Sequence, residues 1–274
     1  MTTSSIVLPT IGLTLIFAVF RYLNFALMAH ATLGAYAGFV ANTTLGLPIL
    51  PSLITAFVVA GIIGYTSDRY ILRSLRASGT VTTAIGSIAL TIGIENLLRF
   101  GFGNTLQGYS LPMRRDWWFE GVRIAPQQVE NLIIGLIAVV LLFGFLTYTR
   151  AGKAMRAVAD NRPLADIKGV NANRVYGWTS FLAMGLGGLG GMLLGMDTAV
   201  DPLLGYRTMV SVFAAAVLGG LGSMPGALVG ALIIGLCEEL SLLVLPPSYR
   251  SVIGLLTIFI ILIVRPQGLL GRRT

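Results

Sequence analysis

The sequence is poor in charge, cysteine and histidine, and each shortage excludes something. Only 11% of its 274 residues are Asp, Glu, Lys or Arg, where a soluble domain carries about a quarter. With 55% of residues hydrophobic, too few charges remain to keep so much apolar surface in water. A water-soluble reading, as one domain or two, is excluded, and the chain is expected to cross a membrane several times. One cysteine, Cys237, permits no internal disulfide and reads as a small packing residue in its apolar run. One histidine and one cysteine cannot build a structural zinc site. A glycine-rich loop followed by Lys and Ser or Thr is missing, so any ATP must be handled by another chain. No catalytic constellation is present, so no enzymatic role is expected.

Two things are abundant. The 34 glycines suit helices that pack closely in lipid. The net charge of +8 does not point to nucleic acid, because the basic residues are scattered at the ends of apolar runs, where they read as membrane-side anchors.

Spanning the hydrocarbon takes about 20 residues per helix. The runs 50–68, 80–98, 129–149, 175–196, 225–245 and 249–264 meet that need. Residues 5–22 resemble a secretory signal but have no preceding Lys or Arg and no clear cleavage box, so they read as an uncleaved first helix. The segments 25–42 and 206–221 are short, glycine-bearing and partly polar, and read as spanning, broken or re-entrant. The expectation is one all-α transmembrane domain over residues 1–274, with about 8 (7–9) segments, some of them short or broken.

Charge sets the orientation. Arg150, Lys153, Arg156, Arg162, Lys168 and Arg174 fall in 150–174, Arg69, Arg73 and Arg76 in 69–76, and Arg265, Arg272 and Arg273 in the tail. All three stretches are expected on the cytoplasmic side. The loop 99–128 then faces outward despite Arg99, Arg114, Arg115 and Arg123, with Trp117, Trp118 and Phe119 as an interfacial belt. If both weak segments span, the N-terminus lies outside.

Gly187, Gly191 and Gly195 repeat every four residues, as do Gly222, Gly226 and Gly230. Each ladder offers a face of bare backbone to a neighbouring helix, either as plain tight packing or as a sliding interface.

The polar stretch AGKAMRAVADNRPLADIKGVNANRV, 151–175, interrupts this apolar chain. Ala154, Met155, Val158 and Ala159 recur at helical spacing, with Arg156 and Asp160 turned another way. Asn161 reads as an N-cap, Pro163 as first-turn proline, and Gly169 as a left-handed stop. The pattern predicts a helix extending from the membrane, a capped turn, and a second helix through Leu164, Ala165, Ile167 and Lys168. So short a helix needs a support. It is either a basic loop near anionic lipid or a docking element for a cytoplasmic partner.

The chain resembles the permease subunits of branched-chain amino acid ABC importers, and more the shorter, H-type subunit than its longer companion. AVADNRPLADIKGVNANRV resembles the family's ATPase-facing coupling loop. AAAVLGGLGSMPGALVGALIIGLCEE resembles its glycine-rich membrane segment, and YRSVIGLLTIFIILIVRPQGLLG its C-terminal span and tail. The similarity runs from about residue 12 to 271. It implies a subunit of a bacterial inner-membrane importer that binds no cofactor itself. The implied partners are a longer permease subunit, two cytoplasmic ATPase subunits that carry ATP-Mg, and an extracytoplasmic substrate-binding protein. It also implies that Asp160, Ala165, Ile167 and Gly169 lie at the heart of the coupling loop. There Leu164 and Ile167 would enter an ATPase groove, with Arg156, Arg162 and Lys168 meeting acidic groups. The implied substrates are leucine, isoleucine and valine, with urea or short amides as the alternative.

One departure stands out. The family's Asn-Phe-Ala-His-Gly run is Asn24-Phe25-Ala26-Leu27-Met28 here, whereas Gly34-Ala35-Tyr36 is intact. His30 lies three positions beyond the missing histidine and reads as a satisfied core residue.

Ionisable and amide groups at membrane depth are candidates for the pathway or for polar links within the bundle. Asn24, Glu95, Asn96, Asp197, Glu238 and Glu239 are these candidates, with Glu95 and Arg99 placed for an i,i+4 ion pair. A stand-alone secondary carrier would need coupling-ion groups near mid-membrane, and the acids cluster instead toward the ends of the runs. A purely structural anchor is the remaining alternative.

Overall fold

The structure is a computed structural model and describes residues 2–111, 117–119, 122–242, 246, 250–264 and 268–271. Arg114, Arg115, Arg265, Arg272 and Arg273, and the side chains of Trp117, Trp118, Phe119 and Arg123, lie outside what it describes. The chain forms α1 (Thr2–Phe20), α2 (Ala26–Phe39), α3 (Ile49–Ser67), α4 (Arg73–Arg76), α5 (Thr80–Phe102) and α6 (Pro126–Tyr148), then α7 (Arg150–Asp160), α8 (Arg162–Ile167), α9 (Ala172–Asp197), α10 (Leu204–Gly219), α11 (Met224–Ser241) and α12 (Arg250–Val264). One π-helical turn, Val40–Thr44, extends α2, and another, Asp68–Leu72, joins α3 to α4. Between α5 and α6 lies a small antiparallel hairpin, β1 (Trp117–Phe119) and β2 (Val122–Ile124).

This is an all-α, polytopic membrane bundle. Among the described residues, five stretches are long and apolar enough to cross: Ile49–Arg76, Thr80–Phe102, Pro126–Tyr148, Ala172–Asp197 and Met224–Ser241. Ser4–Phe20, Leu204–Gly219 and Val252–Ile261 are apolar but shorter. Five long spans are fewer than the sequence pattern suggests, and local chemistry explains part of the difference. The 16 residues of α10 rise about 24 Å, because Gly220 leaves the helix at φ +97° and Pro225 opens the next one.

Helix α9 is the axis. Of its apolar stretch 83% is buried, against 28–39% for the other four long spans, and α1, α2 and α3 all pack on it. Glycine makes this possible. A side chain at Gly188 would collide with Ala56 and Ala60 of α3, and one at Gly34 of α2 would run into the Gly188 backbone. Such close backbone approach is how helices gain contact in lipid, where no hydrophobic force drives them together.

The two glycine ladders fare differently. Gly187 and Gly191 face α2 at Leu27 and Ala31, but Gly195 is turned to Val200 and Tyr109. Gly226 and Gly230 of α11 lie against Gly219 and Ala215 of α10. Gly222 is not on that face at all. It lies in the turn before α11 with φ +91°, because Ser223 caps the helix by accepting from Gly226 N–H at 3.3 Å.

Candidate functional site

One end of the bundle gathers Arg21, Arg73, Arg76 and the stretch from Arg150 to Arg174. The stretch does not continue the helix before it. Thr149 takes an extended conformation, φ −84° and ψ 155°, and its hydroxyl caps α7 by accepting from Gly152 N–H at 3.0 Å. The expected extension from the membrane is therefore a broken corner. Gly152 fits the corner because a Cβ there would strike the backbone at Phe145 and Leu146. Met155 and Val158 then bury the inner face of α7, while Lys153, Arg156 and Asp160 stay exposed. Arg21 Nη2 donates to the Ala159 carbonyl at 2.7 Å, fastening the α7 end to the α1–α2 corner.

Helix α8 has the expected punctuation. Asn161 Oδ1 accepts from Leu164 N–H at 3.1 Å. At the other end Gly169 takes φ +79°, and Val170 N–H returns to the Ala165 carbonyl at 3.0 Å. These bonds satisfy terminal groups that a six-residue helix cannot pair internally. Its side chains divide sharply: Ala165 is 4% exposed, Leu164 52% and Ile167 82%. Ala165 therefore seats α8 on its own chain. Arg162 stands 5.4 Å from the Tyr176 ring and 3.9 Å from Asp166. Lys168 and Asp166 are exposed.

Beside this stretch, Asp68 pairs with Arg76. The Arg76 guanidinium lies 4.1 Å over the Phe20 ring and 5.3 Å from that of Tyr176. Sequence reasoning saw Arg76 only as an anchor and missed Asp68, although an acid closing an apolar run ahead of three arginines is a readable signal.

The polar candidates inside the bundle fall in separate places. Asn24 accepts from Ala26 N–H at 3.0 Å and donates to Tyr22 Oη at 3.3 Å, so it shapes the entry to α2. Glu95 is buried and Asn96 exposed on α5. Asn96 donates to the Ile92 carbonyl at 2.7 Å. Among the described residues no ion pair joins Glu95 to Arg99, and Glu95 Oε1 and Arg99 Nε have no hydrogen-bond partner; the expected i,i+4 pair does not close. Glu238 is buried where α10, α11 and α12 meet, its Oε1 against Gly254 with Val210 nearby. Glu239 beside it is half-buried. Asp197 accepts from Asn131 Nδ2 at 2.7 Å, linking α9 to α6.

His30 is a satisfied core residue. Its Nδ1 lies 2.7 Å from the Ala26 carbonyl and its Nε2 3.2 Å from Ser67 Oγ. A carbonyl only accepts, so Nδ1 carries the proton.

The chain matches, over residues 1–262, the family described as "Branched-chain amino acid transport system / permease component". It is similar to the high-affinity branched-chain amino acid transport system permease protein LivH of Escherichia coli strain K12, 30% identical, covering 98% of this chain and 92% of that one. The corresponding BraD protein of Pseudomonas aeruginosa is 29% identical, covering 98% and 92%. A probable branched-chain amino acid transport permease protein LivH of Methanocaldococcus jannaschii is 29% identical, covering 97% and 88%. A match across nearly the whole chain, on a helical bundle of apolar spans, makes this a multi-pass transport protein and not an enzyme. The chain belongs to the family of permease components of branched-chain amino acid transport systems.

Proposed function

We propose that this chain is one membrane half of an ATP-driven importer for branched-chain or closely related small amino acids, with α8 as its coupling helix. The observation that carries the reading is the division of α8: Ala165 is held by the bundle while Ile167 is 82% exposed. An apolar side chain left uncovered on a basic surface, on a helix too short to stand alone, fits a groove in another protein. The partners in this reading are two cytoplasmic ATPase subunits carrying ATP-Mg, a longer permease subunit, and an extracytoplasmic receptor that delivers substrate. Selectivity rests largely with that receptor, and urea or a short amide is the competing cargo.

The same reading takes nine helices across the membrane: the five long spans with α1, α2, α10 and α12. Two contacts support the parity. Arg21, after α1, reaches Ala159 at the basic end, and Asn42, after α2, accepts from Ser110 N–H at 2.8 Å in the loop between α5 and α6. The segment 150–174 then faces the cytoplasm and 99–128 the outside. Closure of the ATPases would push α8, which packs on α7 and α9, while α7 packs on α1, α6 and α9. The push thus arrives at the bundle axis.

Ile167→Asp tests this. A carboxylate forced against an apolar groove is desolvated without a partner. ATP-driven uptake in reconstituted vesicles should fall about tenfold or more, with ATPase lost during purification and the permease still inserted. Full uptake with a full complement of ATPase would place the docking element elsewhere. Uptake that persists without ATP but follows an ion gradient would favour a stand-alone carrier.

A further inference from the structure

A cavity of about 540 Å³ opens at the basic end, between the α3–α4 corner and the start of α9. Arg69, Arg73, Arg76 and Arg174 line it, with Asp68 as its acid. Asp68 is taken by Arg76, so three arginines face the cavity without a carboxylate in it. Two of them are held in place by neutral groups. Arg73 Nη2 donates to Asn173 Oδ1 at 3.0 Å, and Arg69 Nη1 to Tyr65 Oη at 2.7 Å. Neutral partners orient these guanidinium groups, and Asp68, already paired with Arg76, is the one carboxylate among the residues that line the cavity. The first turn of α9, a 26-residue helix, adds the positive end of its dipole. The cavity is built for an anion.

The walls say what else that anion carries. Trp178 and Phe181 of α9 also line it, about one and two turns beyond Arg174. From Tyr65 and Arg69 an exposed apolar stripe runs up α3 through Ile62, Val58, Ile54 and Leu50, at four-residue spacing. Each four-residue step turns the next side chain by only about 40°, so successive members of the stripe lie side by side as it winds along α3. A charged cavity at the cytoplasmic interface that continues into an apolar track along a spanning helix has the shape of a phospholipid: phosphate below, acyl chain above. We infer that this cavity binds the head group of an anionic phospholipid, with its acyl chain along the α3 stripe. The assignment uses the cytoplasmic orientation of the basic end but not the identity of the transported substrate. Basic pockets between helices on that face are suited to anionic head groups, each arginine near the surface adding attraction.

The test is lipid retention by the purified full chain. Native mass spectrometry would read lipids kept after titration with phosphatidylglycerol or phosphatidylcholine in mild detergent. At least one phosphatidylglycerol should be retained with about tenfold preference. Arg69→Gln with Arg73→Gln should bring that preference to within about twofold, while Arg150→Gln with Lys153→Gln, on α7, should leave it unchanged. Arg174→Gln, on the exposed first turn of α9, gives the same readout if the double variant is not monodisperse. Equal retention of both lipids by the unaltered chain would overturn the inference, as would a preference that survives loss of the arginines. Displacement by excess inorganic phosphate alone would mean an anion site without a lipid. Loss of the retained lipid when the ATPase subunits bind would mean that acidic groups of that partner fill the cavity instead. These outcomes are separate from Ile167→Asp, because coupling could fail with lipid binding intact, and the reverse.

Discussion

Ala165 and Ile167 lie two residues apart on α8 and meet opposite surroundings, Ala165 at 4% exposure and Ile167 at 82%. Two residues along a helix is about 200° of rotation, so one side chain is committed to the bundle and the other to whatever covers the helix. The fold thus presents a short lever that is anchored on one face and free on the other.

This split separates seating from docking. Ala165→Phe should overpack the joint between α8 and the bundle and lower stability by about 1–3 kcal/mol. Ile167→Ala removes an exposed side chain and should change stability by no more than about 0.5 kcal/mol. Thermal unfolding of both variants in detergent checks this. Equal losses would mean that Ile167 is also part of the folded core.

The glycines of α9 carry a second expectation. Gly191 backs onto the Ala31 backbone of α2, so no rotamer change can make room for a side chain. Gly191→Leu should therefore separate α2 from α9 and cost about 3 kcal/mol or more. Gly93 of α5 has nothing within 4 Å. Gly93→Ala should be neutral, or stabilising by up to about 1 kcal/mol through helix propensity. Monodispersity and thermal midpoint of the two variants decide the matter, and a well-folded Gly191→Leu would mean that the seam is looser than it stands here.

What was legible in the sequence was mainly local. Asn161, Pro163 and Gly169 give the start and stop of α8 because capping is decided within a few residues. The apolar runs give the bundle because spanning length is a local property. The course of a ladder after a turn is not local. Gly222 keeps the four-residue spacing of Gly226 and Gly230, yet Ser223 ends that register by capping α11. Ala165 shows the same limit: nothing near it in sequence tells that it, and not Leu164 or Ile167, is the buried residue of α8. Asp68 and Arg76 were hard to pair because a π-helical turn, Asp68–Leu72, lies between them and shifts the angle that ordinary helical spacing would give.

That pair supports the last prediction. Asp68 is 4% exposed, and its partner Arg76 is covered by Phe20 and Tyr176. Asp68→Asn keeps the shape but removes the counter-charge from a guanidinium already drawn out of water. Breaking a buried pair from one side costs about 3 kcal/mol. Arg76→Gln takes the guanidinium away from a buried carboxylate and should cost a similar amount. The double variant leaves two neutral groups able to hydrogen-bond each other, so its loss should be smaller than the sum by about 2 kcal/mol. A four-way comparison of unfolding midpoints in the same detergent measures that coupling. Strict additivity would show that Asp68 and Arg76 act independently, and that the corner between α3 and α5 is held by its aromatic rings alone.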